Sequence, residues 1–231
     1  MDVKEKYIEA GKIAATALQY GAKHIKIGNS LLDATEKAES KVLDLGGEFA
    51  FPPQISLNEI AAHYCAEPND EIIFKKGDIA KIDVGVMIDG YIGDNAMSVN
   101  LGEHDTLVQA SRDALNNALK IVGVGTPIGE IGRVIQETIQ KAGFSPVRNL
   151  SGHGVNQYKY HEKPSIPNFD TGDKTPLQKG QAIAIEPFAS TGSGTIFESN
   201  NANIFSMRQK KPVRNLMTRN VLKEIIKFKN M

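Results

Sequence analysis

An eight-residue phrase occurs twice in this chain and ends both times in a carboxylate: Lys76-Gly77-Asp78-Ile79-Ala80-Lys81-Ile82-Asp83, then Lys179-Gly180-Gln181-Ala182-Ile183-Ala184-Ile185-Glu186. Such a repeat restricts the fold to two halves built on one plan. Acids at the matching end positions add a chemical constraint, because carboxylates brought together where two halves meet either repel or share a cation. The repeat therefore predicts a metal centre at the pseudo-symmetry axis of the chain itself.

The sequence before each phrase supports the same plan. Ile8, Ile13, Ala14 and Leu18, then Leu31, Ala34, Ala38, Val42 and Leu45, recur at helical spacing and stop at Gly46-Gly47. The pattern returns with Leu107, Ala110, Ala114, Ala118 and Ile121. It continues with Ile128, Ile131, Ile135 and Ile139, behind Thr126-Pro127 as cap and first helical position, and stops at Gly143. The interval from Gly28 to Gly46 equals that from Gly125 to Gly143. Each half thus reads helix, glycine turn, helix, glycine stop and β-rich stretch. The expected class is α+β, two pseudo-symmetric halves in which helices cover a curved antiparallel sheet. With 231 residues, 41% of them hydrophobic, the chain can bury a sizeable core. Thr218 to Lys229 breaks the order: it reads as a basic helix whose apolar side holds Val221, Leu222, Ile225, Ile226 and Phe228.

Charge and cysteine content narrow the function classes. Lys plus Arg and Asp plus Glu both number 27, so no net field favours nucleic acid or an anionic membrane, and no direct nucleic-acid partner is expected. No stretch is long and apolar enough for a membrane span or signal peptide, and the single Cys65 fits a reducing compartment; the expected location is the cytoplasm.

The first phrase leads into a hairpin. Ile82, Val84, Val86 and Ile88 alternate with Asp83, Gly85 and Met87, and Asp89-Gly90 is a two-residue turn signal before the return strand Tyr91 to Leu101. That turn pairs 88 with 91, 86 with 93 and 85 with 94, which sets Asp94 on the face of Asp83, a diagonal step of roughly 7 to 8 Å away. Gly85 leaves space between the acids. A lone pair of aspartates is ordinarily a solvated face. The matching Glu186, expected on the corresponding strand of the second half, weighs against that reading.

Three of the five histidines stand in informative contexts. His153 lies within Asn149-Leu150-Ser151-Gly152-His153-Gly154, where glycines allow close backbone approach. His63 follows Asn58-Glu59-Ile60-Ala61-Ala62, and His161 closes Gln157-Tyr158-Lys159-Tyr160. Cys65 near His63 is a weak hint of a thiol nucleophile, since positions two apart rarely form that pair. Gly123-Val124-Gly125 lacks the Lys-Ser/Thr ending of a phosphate loop.

Four segments together resemble the methionine aminopeptidases of the pita-bread fold: Ser56-Leu57-Asn58-Glu59-Ile60-Ala61-Ala62-His63-Tyr64, Lys81-Ile82-Asp83-Val84-Gly85 with Asp94, Asn149-Leu150-Ser151-Gly152-His153, and Ala184-Ile185-Glu186-Pro187-Phe188. The first is most similar to the archaeal and eukaryotic type 2 branch. The resemblance implies a metallopeptidase domain over 1–205, with 206–231 starting the type 2 helical insertion. It implies Asp83, Asp94, His153 and Glu186 as metal ligands, His63 near the substrate amide and His161 beside the scissile carbonyl. The implied reaction removes the initiator methionine of nascent proteins, by a monomer working near the ribosome. Three carboxylates and one imidazole suit two divalent ions, Co, Mn, Fe or Zn, which about 3.5 to 4 Å apart share a hydroxide. Glu186 is then the proton-shuttling base.

The family's final strand, with Gln-Phe-Glu-His, has no match after Glu186, and Glu198 behind Phe197 is only a superficial candidate for its acid. Met87 and Cys65 stand where relatives often carry His and Thr. Asp83, Asp94 and Glu186 bring three negative charges against four on two divalent ions, a deficit that a bridging hydroxide would cover, but the missing acid removes one bridging bond and second-metal affinity is expected to fall. The alternative expectation is a truncated or degenerate, non-catalytic member acting as a protein- or RNA-binding scaffold.

Overall fold

The structure, a computed structural model, describes residues 1–198, 203–205, 207, 209 and 211–227. Two helices open the chain. α1 (Val3–Ala22) starts on a reciprocal capping box: Asp2 Oδ1 accepts from the Glu5 N–H and Glu5 Oε2 from the Asp2 N–H, each at 2.8 Å. α2 (Leu31–Asp44) is capped by the Ser30 hydroxyl. Short strands β1 (Glu48–Phe49) and β2 (Gln54–Leu57) lead to the long hairpin β3 (Ile79–Ile88) and β4 (Tyr91–Asn100). The second half repeats the order with α3 (Asp105–Ile121), α4 (Ile128–Lys141), β5 (Ser145–Pro146), β6 (Ser151–Asn156), β7 (Lys159–Pro167), β8 (Ala182–Ala184) and β9 (Ala189–Ser190). α5 (Leu216–Lys227) follows.

The repeat is visible bond by bond. Gly28 N–H donates to the Phe74 carbonyl and Leu31 N–H to Ile72; at the matching places Gly125 N–H donates to Leu177 and Ile128 N–H to Thr175, all at 2.9 to 3.0 Å. Gly28 and Gly125, Gly46 and Gly143, and Gly77 and Gly180 all have φ between +78° and +100°. That left-handed region is open to glycine at little cost, so these residues fix where each copy turns.

Strand pairing follows the same plan. β1 pairs with the end of β3 as β5 pairs with β9, and the register of β2 on β3 is continued by that of β6 on β8. One expectation needs correcting. β3 runs unbroken for ten residues, but its counterpart is split into β8 and β9, and Glu186 lies in the gap rather than on a strand. Two causes are evident: Pro187 cannot donate to a ladder, and among the described residues β8 has a partner on one edge only, whereas β3 is held by β4 along its length. A second correction concerns α4. Pro127, not Thr126, is the capping residue, and the Thr126 hydroxyl donates back to Ile121 O at 2.7 Å.

Each half has its own core. Ala14, Ala17, Leu31, Ala34, Ala38 and Val42 of α1 and α2 pack on Ile82, Val84 and Val86 of β3. Ile128, Ile131, Ile135 and Ile139, one per turn of α4, pack with Ala114 and Ala118 of α3 on Ile166 and Leu177. Each fully buried isoleucine or valine contributes roughly 1.5–3 kcal/mol through lost apolar exposure. α5 buries no residue, and Val221, Ile225 and Ile226 are exposed. Phe228 and Lys229, placed on this helix by the sequence pattern, lie outside the described residues.

Candidate metal centre

The tight turn between β3 and β4 puts Asp89 at φ +50° and Gly90 at φ +83°, the left-handed pair that matches strand twist. The register follows from it: Ile88 faces Tyr91, Val86 faces Gly93 and Gly85 faces Asp94. Asp83 and Asp94 therefore share one face, as the sequence implies. The space above Gly85 is not open, however. A Cβ there would lie 2.3 Å from the ring of Phe51, so the glycine accommodates an aromatic wall beside the acids.

His153 comes from β6, paired with Ala184 of β8. Its glycine neighbours are required by packing: a Cβ on Gly152 would lie 2.3 Å from Ala184 O, and one on Gly154 2.2 Å from Lys163 O. Both adjoining backbones can therefore close on this strand. His153 is buried, with Nδ1 3.0 Å from the Gly154 carbonyl. That contact places the proton on Nδ1 and turns Nε2 toward the carboxylates.

Nε2 lies 3.0 Å from Glu186 Oε1 and 3.5 Å from Asp94 Oδ2, and donor atoms of Asp94, His153 and Glu186 all fall within 4.8 Å of one another. Asp83 adjoins them. Its Oδ1 and Glu186 Oε1 are buried with no hydrogen-bond partner among the described residues. The short approach of Glu186 Oε1 to His153 is thus an ion-pair distance without hydrogen-bond geometry. Orphaned carboxylate oxygens converging on an imidazole nitrogen fit a divalent cation, and the oxygen-rich donor set with one nitrogen fits Mn, Fe, Co or Zn.

Electrostatics point the same way. Burial pushes the Asp83 carboxyl well above the ordinary range, and the neighbouring Asp94 and Glu186 charges push it further. Burial opposes protonation of His153, but the carboxylates of Asp94 and Glu186 outweigh it and raise its pKa to about 10. Without a metal, the cluster holds protons in its place.

His161 packs edge-on against His153 with ring centroids 4.4 Å apart. By surface area its residue is exposed at the mouth of the site, yet partial desolvation and the neighbouring His153 and His63 lower its pKa, so it is neutral near pH 7. The Tyr160 ring packs tilted against His161 with centroids 4.8 Å apart, and the Phe51 ring lies 6.2 Å from Tyr160. Sequence reasoning missed both rings; for Phe51, its place directly before Pro52-Pro53, just past β1, was the available signal. His63 is exposed on the loop after β2, with φ +69°. Glu198 is exposed and outside the cluster. Burial pushes the Cys65 thiol up to about 11, which keeps it protonated and removes the nucleophile reading. Lys81, also unremarked in the sequence, is lowered to about 8 by burial.

A doubled α+β fold with a carboxylate–imidazole cluster where its halves meet defines a metal-dependent protein of the pita-bread class. The sequence signature of metallopeptidase family M24 matches residues 5–209, and the chain belongs to that family. It is 43% identical to a methionine aminopeptidase of Archaeoglobus fulgidus and 46% identical to one of Thermococcus onnurineus, each alignment covering 97% of this chain and 77% of the relative. The crystal structure of a methionine aminopeptidase from Thermotoga maritima superposes with a TM-score of 0.77 at 35% identity, over 82% of this chain and 80% of that one.

Proposed function

We propose that this chain is a metal-dependent aminopeptidase that removes the N-terminal methionine of nascent polypeptides. One observation carries the reading: Asp94, His153 and Glu186, contributed by both halves, converge within 4.8 Å beside Asp83, with two carboxylate oxygens lacking a partner among the described residues. Asp83, Asp94, His153 and Glu186 would hold the metal, two divalent ions at most, of the Mn, Fe, Co or Zn type. When bound, such ions supply Lewis acidity and an activated water at neutral pH.

The remaining chemistry belongs to side chains. Glu186 takes up the proton from the attacking water and returns it to the leaving amine. Neutral His161 donates a ring N–H to the developing oxyanion, a role that its lowered pKa supports. His63, exposed at the loop, holds the substrate amide. Phe51 and Tyr160 form an apolar wall that receives the first side chain of the substrate.

We also infer a monomer working in the cytoplasm close to ribosomes, on 1–205 as the catalytic unit. The lone Cys65 supports a reducing compartment, and no described helix is long and apolar enough to cross a membrane. A second reading, a non-catalytic scaffold that binds RNA, draws on a feature hidden by the overall neutrality. Residues 206–231 hold eight Lys and Arg against one acid, and α5 exposes Arg219, Lys223 and Lys227 on successive turns.

One assay separates the two. Purified protein with added Mn, Co or Fe and a Met-initiated peptide is expected to release free methionine, and Asp94→Ala to abolish the release. No turnover with any of these metals rejects the enzymatic reading.

A further inference from the structure

Asn58 commits each of its hydrogen-bonding groups to one stretch of chain. Its N–H donates to Ile79 O at 2.9 Å, its Oδ1 accepts from Ile79 N at 2.9 Å, and its Nδ2 donates to Asp78 Oδ1 at 3.0 Å. Its carbonyl accepts from Lys81 Nζ at 2.8 Å. Asn58 has φ +51°, a left-handed turn that starts the loop after β2. The far end of the loop is closed by Tyr64, whose N–H donates to Ser56 Oγ at 3.1 Å and whose carbonyl accepts from Ile55 N at 3.0 Å. His63 sits between these two ties, itself left-handed at φ +69°. Left-handed backbone at a non-glycine residue persists only where its surroundings hold it.

Lys81 is the one long-range cation in this clamp. It lies two residues before Asp83 on β3, hence on the same face, so the strand that presents an acid of the metal centre also grips the loop that carries His63. The strand plan itself has no need of a lysine there. In the second copy of the phrase the corresponding residue is Ala184. A half-buried lysine, with its ammonium on a backbone carbonyl, is thus explained by the loop and not by the sheet.

We propose that Lys81 is a positioning residue for His63: through the Asn58 carbonyl it fixes the loop in the conformation that aims the imidazole at the substrate. The proposal rests on the reading of His63 as a substrate-side group. Lys81→Met keeps the aliphatic stem and removes the ammonium, and Lys81→Arg restores a donor.

In metal-loaded protein, Lys81→Met is expected to lower kcat/KM at least ~10-fold, with partial recovery in Lys81→Arg. Metal affinity, measured by calorimetry, stays within about twofold, and in a His63→Ala background Lys81→Met adds less than about twofold further loss. Equal losses in both backgrounds, or metal affinity falling in step with activity, overturn the proposal. A second readout needs no turnover. The His63 imidazole signals in 1H–15N NMR of the metal-free protein should shift in Lys81→Met and return in Lys81→Arg, whereas an unchanged Lys81→Met spectrum overturns the proposal. A wild-type chain that releases no methionine counts against the enzymatic reading alone, because the NMR result still decides the Lys81 contact.

Discussion

The ring of Tyr158 occupies the space where a side chain on Gly90 would begin, its carbons 2.7 Å from the position of a Cβ. The Tyr158 N–H donates to the Gly90 carbonyl at 2.8 Å, and Gln157 Nε2 donates to Asp89 O at 2.9 Å. Two hairpin tips, one from each half, are thereby clasped, and Lys6 of α1 joins them through Asp89 at 2.8 Å. One hairpin carries Asp83 and Asp94 and the other carries His153, so this clasp ties together the two hairpins that bring the proposed ligands to one place.

Gly90→Val should open the clasp. The new side chain meets the Tyr158 ring and the backbone is left-handed at φ +83°, so a loss of about 2–4 kcal/mol is expected. Gly28→Ala is the control: its φ is +89° but nothing among the described residues lies within 4 Å, so only backbone strain of roughly 1 kcal/mol applies. Denaturant melts measure both, and calorimetry should show weakened metal binding in Gly90→Val alone.

Metal binding should release protons and strengthen with pH. His153, raised to about 10, and Asp83, raised above its ordinary range, hold protons in the metal-free protein that a cation must displace. Titrating Mn at pH 6, 7 and 8 should give rising affinity, with proton release seen as a dependence of the heat on buffer ionisation enthalpy. A flat profile contradicts the assignment of either group.

The metal-free protein should lose stability as pH rises. The folded chain binds the His153 proton more tightly than the unfolded chain, whose imidazole titrates near 6.5, so its contribution is complete below that value and disappears as pH climbs toward 10. Asp83 acts in the same direction, because its raised pKa penalises the ionised folded state above the ordinary value of 3.8. Thermal melts of metal-free protein from pH 6 to 9 should show a falling Tm, with the slope reduced in His153→Gln.

His161→Ala should separate chemistry from metal binding. Loss of a donor to an oxyanion costs on the order of 10²–10³ in kcat, while the four proposed carboxylate and imidazole ligands remain in place. Unchanged metal affinity with kcat reduced by that order is the expected pair of results, measured by calorimetry and by methionine release. A parallel fall in both would make His161 a structural support of His153.

Much of this architecture is legible in the amino-acid order because it rests on local rules. Asp89-Gly90 dictates the turn, the turn dictates that Gly85 faces Asp94, and the face of Asp83 follows. Glycines at Gly28, Gly46, Gly125 and Gly143 announce left-handed turns that other residues resist. What escaped was set by partners distant in sequence. Periodicity marks Ile183 and Ile185 as apolar without revealing whether a neighbouring strand holds them, so only Pro187 hints in the sequence at the break at Glu186. Phe51 and Tyr160 read as ordinary core aromatics until the folded chain brings them to His161. Lys81 is discernible in the sequence, as a charge on the acid-bearing face of a strand where its repeat has alanine.

The split between β8 and β9 makes the ligand cluster mechanically uneven. Asp83 rides on a strand stitched along both edges, whose amides should exchange with solvent only on global unfolding; among the described residues, Glu186 rides on the four residues between β8 and β9, outside any ladder, where the Phe188 carbonyl accepts from the Val147 N–H at 2.9 Å. The Asp83 side of the centre should then act as a fixed jaw and the Glu186 segment as a compliant one. Binding of a cation then doubles as a local ordering step, in which slowed hydrogen exchange at Ile185 and Glu186 would report that the compliant jaw has closed.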